Sequence, residues 1–422
     1  MSARLPEAAL VESPIIEVHD EEEARRQIDS LYGRDVPINL LGAGHLLSNR
    51  ASVGGVLLAN RIRNRLEMRS SREMLVSTGW KWTDVIDFAQ DQGVSFPVLT
   101  SNLDTTVGGT LSAGGFGLFS HREGMQADHV LGCTIHTAEG TFECERSGDP
   151  LWRSALCSLG TIGFVSSVRL EIRPEIDRVW MWERRDPPAE GIDVFLEAAA
   201  SFEQDSSFAT CRFEYGTATT RIGFLAGQQG SRAALPEGWR RQELDYATLL
   251  RQSTLPQSPV RRVWNDFILP IGNARDFLVV ALEQLDRAER HSGILRQRVR
   301  LLGIGRTAPS GSDFYLRPRV LGRSQTIGVG FYLDVAFGDV DSLRFADEQH
   351  ALLNAASQAA GGAPYNAGEI RMSEADCRRS LGGDWDSFKA ARGRYDPKGL
   401  FGNGNTLPVE PSLSKPGRHD PS

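Results

Sequence analysis

The sequence has few lysines and no long apolar segment. In 422 residues, lysine occurs only at positions 81, 389, 398 and 415, so arginine supplies almost all of the positive charge. The formal net charge is -7, which argues against nucleic-acid or anionic-membrane partners because both require basic surface. No run reaches the roughly 20 apolar residues that a membrane-spanning helix needs. The N-terminus shows no basic region followed by an apolar run, so we expect a cytoplasmic protein.

Several chemical signatures are also missing. The five cysteines include no C-x-x-C pair, which argues against a disulfide framework and against a zinc site, and we predict no metal. No GxGxxG motif lies between a strand and a helix, so a Rossmann dinucleotide site is not supported. The sequence also lacks a GxSxG elbow, an HExxH pair and a Walker lysine.

The length and a change in composition predict the domain organisation. At roughly 100–200 residues per domain, 422 residues suggest two domains. Short strand and helix patterns alternate as far as Pro174, and residues 176–365 then hold most of the remaining aromatic residues and longer helices. The chain is predicted to be charged and helical from Glu374 to Arg394, and the tail 411–422 is predicted to be disordered.

The densest glycine segment, VGGTLSAGGFG, covers residues 107–117. Backbone without side chains lets amide groups approach phosphate oxygens closely, and Thr110 and Ser112 add hydroxyl groups. The alternatives are a flexible loop, or small residues that permit close packing. A short glycine motif does not decide between an anion site and these alternatives.

Each of three other segments also allows two interpretations, a cofactor-binding loop or an ordinary loop or turn. Gly42-Ala43-Gly44-His45 follows an apolar strand, and its amides could meet a phosphate, although it also reads as a polar loop. Gly160-Thr161-Ile162-Gly163 precedes a strand and reads equally as a helix-to-strand turn. The motif DPKGLF at 396–401, followed by Gly-Asn-Gly-Asn, reads alone as a closing turn.

The order of the four segments resembles the FAD-binding fold of the vanillyl-alcohol oxidase superfamily, also called the PCMH type. In particular, the sequence is similar to cytokinin dehydrogenases, whose flavin loop also carries VGGTLS. The resemblance covers about residues 14–174 and 366–410. The stretch 176–365 resembles no family that we can name.

The resemblance implies an α+β fold. Residues 1–175 would form a PCMH-type FAD-binding domain of two αβ subdomains that hold FAD between them. Residues 176–365 would form an inserted α+β substrate domain, or cap, built on a mixed or antiparallel sheet. Residues 366–410 would return to complete the FAD-binding domain.

The resemblance also implies the FAD-binding residues. Backbone amides of the first two glycine segments would bind pyrophosphate and ribityl, residues 160–165 would line the adenine side, and Asn405 would face the flavin. The implied residues are Gly42, Ala43, Gly44, His45, Leu46, Thr106, Gly108, Gly109, Thr110, Ser112, Ala113, Gly114, Gly117, Gly160, Gly163, Val165 and Asn405.

His45 lies where many family members attach FAD covalently through the 8α-methyl carbon. An imidazole nitrogen with a free lone pair can act as the nucleophile. The family often has Arg-Gly before this turn and Ser after the histidine, whereas this sequence has Leu40-Leu41 and Leu46. Covalent and noncovalent binding both remain open. Members with two covalent links place a cysteine where this chain has Asp104, so we expect no second link.

Two residues near the glycine segment are candidate catalytic groups. Asp104 could accept a substrate proton, or it could cap the turn that follows it. The catalytic aspartate of cytokinin dehydrogenases corresponds by spacing to Ser101. Further candidate bases lie in or beside the substrate domain at Asp266, Tyr315, Asp334 and Tyr365.

The predicted function is FAD-dependent oxidation of a small organic substrate. A hydride from a C–H bond next to oxygen or nitrogen would pass to flavin N5, and dioxygen or another acceptor would reoxidise the flavin. The alternative is a biosynthetic cyclase or tailoring enzyme of the same fold with no net redox change. A scaffold protein that has lost FAD would have been free to replace the glycines. We expect a monomer or homodimer whose partner is a small-molecule substrate.

Overall fold

The computed structural model describes residues 13–45, 55–100, 102–176, 178–186, 190–194, 196–197, 208–215, 220–226, 238–246, 260–304, 314–322, 326–336, 338–365, 368, 372–402 and 407–408. Leu46, Ser101, Asn405 and the predicted tail 411–422 lie outside these ranges.

Strands and helices alternate through the first part of the chain, and longer strands follow. The strands are β1 Ile15–Val18, β2 Ile38–Leu41, β3 Val56–Asn60, β4 Leu66–Ser70, β5 Glu73–Ser77, β6 Val94–Ser95, β7 Leu99–Thr100, β8 Gly117–Leu118, β9 Val130–Thr137, β10 Gly140–Glu145, β11 Phe164–Glu171, β12 Arg173–Pro174, β13 Arg178–Asp186, β14 Phe208–Tyr215, β15 Thr220–Ala226, β16 Arg240–Asp245, β17 Val260–Pro270, β18 Ile294–Ile304, β19 Thr326–Ala336 and β20 Ala363–Pro364. The α-helices are Glu21–Gly33, Trp82–Asp91, Val107–Ala113, Ser120–Glu123, Pro150–Ala155, Ala274–Glu289, Val340–Ala359, Glu374–Leu381 and Gly383–Tyr395, with 3-10 turns at Gln126–His129, Ile271–Asn273 and Arg319–Gly322.

The first subdomain is a three-stranded parallel sheet in the order β1-β3-β2, covered by the helix Glu21–Gly33. The Asp20 side chain accepts from the Glu23 amide and caps this helix, and three acidic residues occupy its first turn, where the helix dipole favours negative charge. Ala24, Ile28 and Leu31 recur at helical spacing and are buried. This apolar face fixes the helix on the sheet.

The second subdomain is a five-stranded antiparallel sheet in the order β10-β9-β11-β5-β4. Strands β9 and β10 form a hairpin and are joined by Ala138 and Glu139. The helix Trp82–Asp91 packs its buried residues, including Val85 and Ala89, into the core of this subdomain.

An eight-stranded antiparallel sheet forms the third layer, in the order β16-β13-β15-β14-β18-β19-β17-β20. Along β19 the odd-numbered residues, such as Phe331 and Leu333, pack in one core cluster with residues of the helices Ala274–Glu289 and Val340–Ala359. Because side chains alternate across a strand, the even-numbered residues of β17 and β19 face the opposite side of this sheet. Ile268 and Trp264 on that side contact the core of the FAD-binding domain.

The stretch predicted to be charged and helical from Glu374 to Arg394 forms two helices, because it is broken at Gly382. The two observed helices are Glu374–Leu381 and Gly383–Tyr395. Gly382 has φ +60°, and the Arg319 guanidinium occupies the space that a side chain at this position would need. Only glycine suits both conditions.

The C-terminal return adds a strand-like edge to the first sheet. The Ile38 amide donates to the Leu400 carbonyl at 2.8 Å, and the Gly402 amide donates to the Ile38 carbonyl at 2.9 Å. Phe401 between them is fully buried in the first subdomain core. The segment DPKGLF, which in isolation is typical of a closing turn, therefore completes the sheet beside β2.

Asp396 organises this return from a buried position. Its carboxylate accepts from the amides of Leu400 and Phe401, each at 3.0 Å, and faces the buried Arg392 guanidinium at 3.5 Å. Arg392 also donates to the Phe401 carbonyl at 3.0 Å. Burial raises the pKa of Asp396 to about 6, because loss of hydration outweighs these favourable partners.

The raised pKa predicts a pH-dependent stability that Asp396→Asn should remove. Between the ordinary pKa of 3.8 and about 6, the folded chain holds a proton that the unfolded chain has released. The stabilising contribution of this group is therefore complete below pH 3.8 and is lost as the pH rises through about 6. From pH 5 to 7.5 we expect the contribution to the free energy of unfolding to fall by about 1 kcal/mol.

Urea unfolding of the wild type and Asp396→Asn at several pH values measures this difference. Asp341→Asn is the matched control, because Asp341 is an exposed residue in a surface ion pair. A difference between wild type and Asp396→Asn that stays constant over this pH range would contradict the assignment.

Candidate active site

The two subdomains of the FAD-binding domain meet at residues without side chains. Gly42, at the end of β2, packs so tightly on Thr106 that a Cβ atom at this position would overlap the Thr106 Oγ1 atom. Gly160, in the segment before β11, is packed just as closely: a Cβ at this position would lie 2.8 Å from the side chain of Leu40 in β2. These two predicted cofactor-binding glycines therefore set how closely the subdomains approach.

The predicted glycine loop is a helix over its first seven residues, Val107–Ala113. The Thr106 hydroxyl caps it by accepting from the Gly109 amide at 3.2 Å. The Gly108 amide donates to the Thr78 carbonyl at 3.0 Å, and a Cβ at Gly108 would lie 3.0 Å from the Thr78 side chain. At the start of this segment, glycine therefore permits close packing, as in the alternative interpretation of the sequence.

The hydroxyl groups of this helix also bond within the protein. Thr110 Oγ1 accepts from the Trp82 indole at 2.7 Å and donates to the Val107 carbonyl. Ser112 Oγ donates to the Gly109 carbonyl at 2.9 Å. The Ser112 carbonyl accepts from the Leu159 amide at 2.8 Å, which ties the helix to the segment around Gly160.

The second half of the glycine segment turns away from the helix. Gly114 has φ +100° and Gly115 has φ +75°, a region that favours glycine. The Gly115 amide donates to the Tyr365 hydroxyl at 3.0 Å, so this turn reaches the end of the substrate domain. Gly117 packs directly against the Leu99 backbone, and Ala113 is buried.

The residues around the cleft fit FAD. Gly44 has φ +88°, and among the described residues no group accepts a hydrogen bond from the amides of Ala43 and Gly44. Ser158 Oγ is buried and has no partner in the described part of the chain. Gly163 packs on the His136 carbonyl and starts β11, where Val165 is half-buried. Open amides and an orphaned hydroxyl suit a ligand rich in phosphate and hydroxyl oxygens.

His45 lies exposed at the rim of this cleft and is held through its ring. Its Nε2 atom is 3.2 Å from the Asp104 carbonyl, and its Nδ1 atom is 3.4 Å from the Asn102 amide nitrogen. Loss of water around the ring lowers the pKa of His45, and the hydrogen bond to the Asp104 carbonyl and the charge of Asp104 offset this effect only in part. The imidazole is therefore neutral at pH 7 and keeps one nitrogen lone pair.

Asp104 has a partner that the sequence did not reveal. Its carboxylate accepts from the Lys81 ammonium at 2.5 Å. The helix Val107–Ala113 that follows is capped by Thr106 and not by Asp104. Asp104 instead joins the Lys81 side chain to His45.

The even-numbered face of the large sheet adds polar and aromatic groups to the cleft. On neighbouring strands, Trp264 of β17 stacks on Tyr332 of β19, with ring centroids 6.1 Å apart and an interplanar angle of 11°. The Tyr332 hydroxyl donates to Asp266 at 3.0 Å. A side chain at Gly330 would overlap both groups, so this glycine gives them room.

Two of the other candidate bases also lie on or beside this face. Arg262 donates to buried Asp334 at 2.7 and 3.0 Å. The Tyr365 amide donates to the Asp266 carbonyl at 2.7 Å, and burial raises the pKa of the Tyr365 hydroxyl well above its ordinary value. Tyr315 instead lies under the Arg153 guanidinium, 4.1 Å from its ring centroid.

The sequence indicated Asp266 as a candidate base but did not indicate its partner Tyr332. The two residues lie on strands β17 and β19, whose mutual register is visible only in the fold. The alternation of the residues along each strand could have placed them on one face, but not opposite one another.

Comparison with known proteins identifies the cofactor. A family model described as FAD binding domain matches residues 13–144, the region that builds both sides of the cleft. The chain has the FAD-binding fold of the vanillyl-alcohol oxidase superfamily. It is an FAD-linked oxidoreductase, and the α+β fold prediction is confirmed.

The similar proteins support this assignment over different lengths. An uncharacterized oxidoreductase of the fasciation locus of Rhodococcoides fascians is 22% identical over 92% of this chain and 91% of its own length. Cytokinin dehydrogenase 2 of Arabidopsis thaliana is 34% identical, but the match covers 31% of this chain and 26% of that protein. The second match is therefore confined to about a quarter of the dehydrogenase.

Solved structures share the whole fold at low identity. Xylooligosaccharide oxidase from Myceliophthora thermophila has a TM-score of 0.76 at 16% identity, covering 97% of this chain and 94% of that chain. For 6-hydroxy-D-nicotine oxidase from Arthrobacter nicotinovorans the TM-score is 0.73 at 14% identity, with coverages of 96% and 95%. These likenesses establish the fold of both domains.

The described residues contain neither a membrane-spanning helix nor a metal-binding cluster. None of the described helices combines the length and apolar character needed to cross a membrane. In the same part of the chain, no group of three or more His, Cys, Asp or Glu side chains is arranged to hold a metal ion.

The contact between Gly42 and Thr106 predicts that Gly42→Ala impairs FAD retention. The new methyl group would displace Thr106, which also caps the helix at Gly109. Overpacking of this kind costs about 1–3 kcal/mol. We expect a lower thermal midpoint and a lower ratio of flavin to protein absorbance in the purified variant.

Gly33→Ala is the matched control, because a Cβ at Gly33 meets no atom within 4 Å. It should retain the wild-type midpoint and flavin content. If Gly42→Ala behaves like Gly33→Ala, the close approach at Gly42 does not determine cofactor binding.

Proposed function

We propose that this enzyme oxidises a small organic substrate at a C–H bond next to oxygen or nitrogen. The observation that carries the proposal is the polar and aromatic face of β17 and β19, which lies next to the flavin-binding segments through Tyr365 and Gly115. Bound FAD would accept a hydride at N5 and pass two electrons to dioxygen or another acceptor. The chain's own residues must then bind the substrate and accept its proton.

We assign the proton acceptor to Asp266. Oxidation next to a hydroxyl or amine requires a base within hydrogen-bond reach of that group. The Asp266 carboxylate accepts from the Tyr332 hydroxyl, and the Asp266 backbone carbonyl accepts from the Tyr365 amide. The Tyr365 hydroxyl in turn accepts from the Gly115 amide of the glycine segment.

The stacked pair Trp264 and Tyr332 supports a ring-bearing substrate. The two nearly parallel rings form a broad apolar surface on the same face as Asp266. Aromatic surfaces of this kind stack on planar rings and also cover the apolar faces of sugars. The combination favours a cyclic substrate with a hydroxyl or amine group near the oxidised carbon.

Flavin bleaching under anaerobic conditions tests this function. Holoenzyme is mixed with a panel of cyclic alcohols, cyclic amines and oligosaccharides, and flavin absorbance is followed in a stopped-flow instrument. Asp266→Asn should slow bleaching by the active compound about a hundredfold or more, since general-base catalysis contributes roughly 10²–10⁴-fold. Tyr332→Phe, which removes one hydrogen bond, should slow it about tenfold or less.

Asp341→Asn serves as the control, because this residue is exposed on the helix Val340–Ala359. Product formed without bleaching would favour net non-redox chemistry instead. Unchanged bleaching in Asp266→Asn would remove Asp266 from the mechanism and leave the redox function intact.

We also propose that FAD is covalently attached through His45. The support is the neutral imidazole, exposed at the rim of the cleft, that retains a lone pair. Acid-precipitated wild-type protein should keep yellow fluorescence, and His45→Ala should release all of its flavin to the supernatant. Complete release from the wild type would contradict the covalent bond, although not the binding of FAD.

A further inference from the structure

His45, Asn102, Asp104 and Lys81 form a continuous set of polar contacts at the rim of the cleft, the His45 network. The contacts run from the Lys81 ammonium to the Asp104 carboxylate, from the Asp104 carbonyl to His45 Nε2, and from His45 Nδ1 to Asn102. Both loops of the subdomain contact contribute to the network, because residues 102–104 lie just before Thr106 and His45 lies just after Gly42.

The network determines which ring nitrogen carries the proton. A carbonyl oxygen only accepts hydrogen bonds, so Nε2 of His45 must be the donor to Asp104. The neutral ring then carries its lone pair on Nδ1.

The orientation of the Asn102 amide leads independently to the same conclusion. Asn102 Oδ1 accepts from the Asp104 amide at 3.2 Å, which fixes the side chain so that its NH2 group faces His45. The Asn102 backbone is held as well, since its carbonyl accepts from the Thr105 hydroxyl at 2.7 Å. An NH2 group requires an acceptor, and Nδ1 with its lone pair provides one.

We propose that Asn102, Asp104 and Lys81 are positioning residues for flavin attachment, which hold His45 with the lone pair on Nδ1 so that Nδ1 forms the bond to FAD. This inference rests on the covalent attachment proposed above. It assigns to Asp104 and Asn102 a role in maturation of the enzyme, distinct from proton transfer to or from the substrate.

The attachment step balances as a two-electron oxidation. A bond forms between His45 Nδ1 and the 8α-methyl carbon of FAD, and one C–H bond of that methyl group breaks. The proton on Nε2 is also lost. The two electrons and two protons reduce dioxygen to hydrogen peroxide, so dioxygen is the oxidant.

The contacts of the network suit this step. As Nδ1 shares its lone pair, positive charge develops on the ring, and the hydrogen bond from Nε2 to the Asp104 carbonyl becomes stronger. The contact between Asn102 and Nδ1 is long at 3.4 Å, so it orients the ring and is easily broken when Nδ1 reacts. The Lys81 ion pair holds the Asp104 residue in place.

The isosteric variant Asn102→Asp provides the sharpest test. A carboxylate at this position still accepts from the Asp104 amide, but it favours a proton on Nδ1 and removes the lone pair. Each full-length variant is purified with its flavin and incubated with excess FAD in air. Covalent flavin is then measured over time as fluorescence of the denatured protein band, and noncovalent flavin as the fraction released by acid.

We expect Asn102→Asp to slow covalent attachment at least tenfold, with total bound flavin within about twofold of the wild type. Asn102→Ala should slow it about two- to tenfold, the range for loss of one hydrogen bond. Lys81→Met should also slow it, and Lys81→Arg should restore it in part. Mass spectrometry and NMR of the flavin-bearing peptide should place the bond on Nδ1.

Two surface variants control for nonspecific effects. Asn273→Asp makes the same isosteric change at an exposed amide, and Lys389→Met removes an exposed lysine that pairs with Glu374. Attachment to Nε2, or wild-type attachment rates in Asn102→Asp and Lys81→Met, would overturn the positioning roles while leaving the His45 link in place. Wild-type protein with no covalent flavin would overturn both the link and this inference.

Discussion

The close approach of Gly42 to Thr106 joins the two subdomains that form the FAD cleft. A methyl group does not fit between them, so Gly42 must lie directly against Thr106 at the start of the helix Val107–Ala113. His45 follows Gly42 closely, and Asn102 and Asp104 closely precede Thr106, so this one contact also brings the His45 network together. The packing of the Gly42 backbone on the Thr106 side chain thus brings together the groups that contact His45.

The glycines of the segment 107–117 do different work at its two ends. At the start, Gly108 allows a helix to pack on Thr78, and its amide is used inside the protein. At the end, Gly114 and Gly115 adopt positive φ, and the Gly115 amide reaches Tyr365 in the next domain. The segment therefore joins three parts of the molecule: the second subdomain, the first subdomain at Gly42, and the substrate-side sheet.

Local sequence patterns predicted the features that depend on neighbours along the chain. The alternating patterns up to Pro174 indicated short strands and helices, and the charged stretch from Glu374 to Arg394 indicated helical structure. The order of the glycine segments indicated FAD through its resemblance to the vanillyl-alcohol oxidase superfamily.

The same local patterns could not predict contacts between residues that are distant in the sequence. Lys81 and Asp104 belong to different turns, and nothing in either local sequence predicts their ion pair. The helical start of the glycine segment depends on Thr78 and Trp80, whose carbonyls accept its first amides. The stacking of Trp264 on Tyr332 depends on strand register, which alternation along one strand does not determine.

The return of the chain to β2 has a consequence for biosynthesis. Tyr32 contacts Lys398, a residue 366 positions later, and Ile38 bonds to Leu400 and Gly402 in the same region. At roughly 5–20 residues per second, a ribosome needs on the order of tens of seconds to cover that interval. Until then β2 is an unpaired edge of the sheet, and such edges invite pairing with other chains. The N-terminal half of the nascent chain therefore keeps this edge unpaired, and the FAD cleft is complete only after almost the whole chain has been translated.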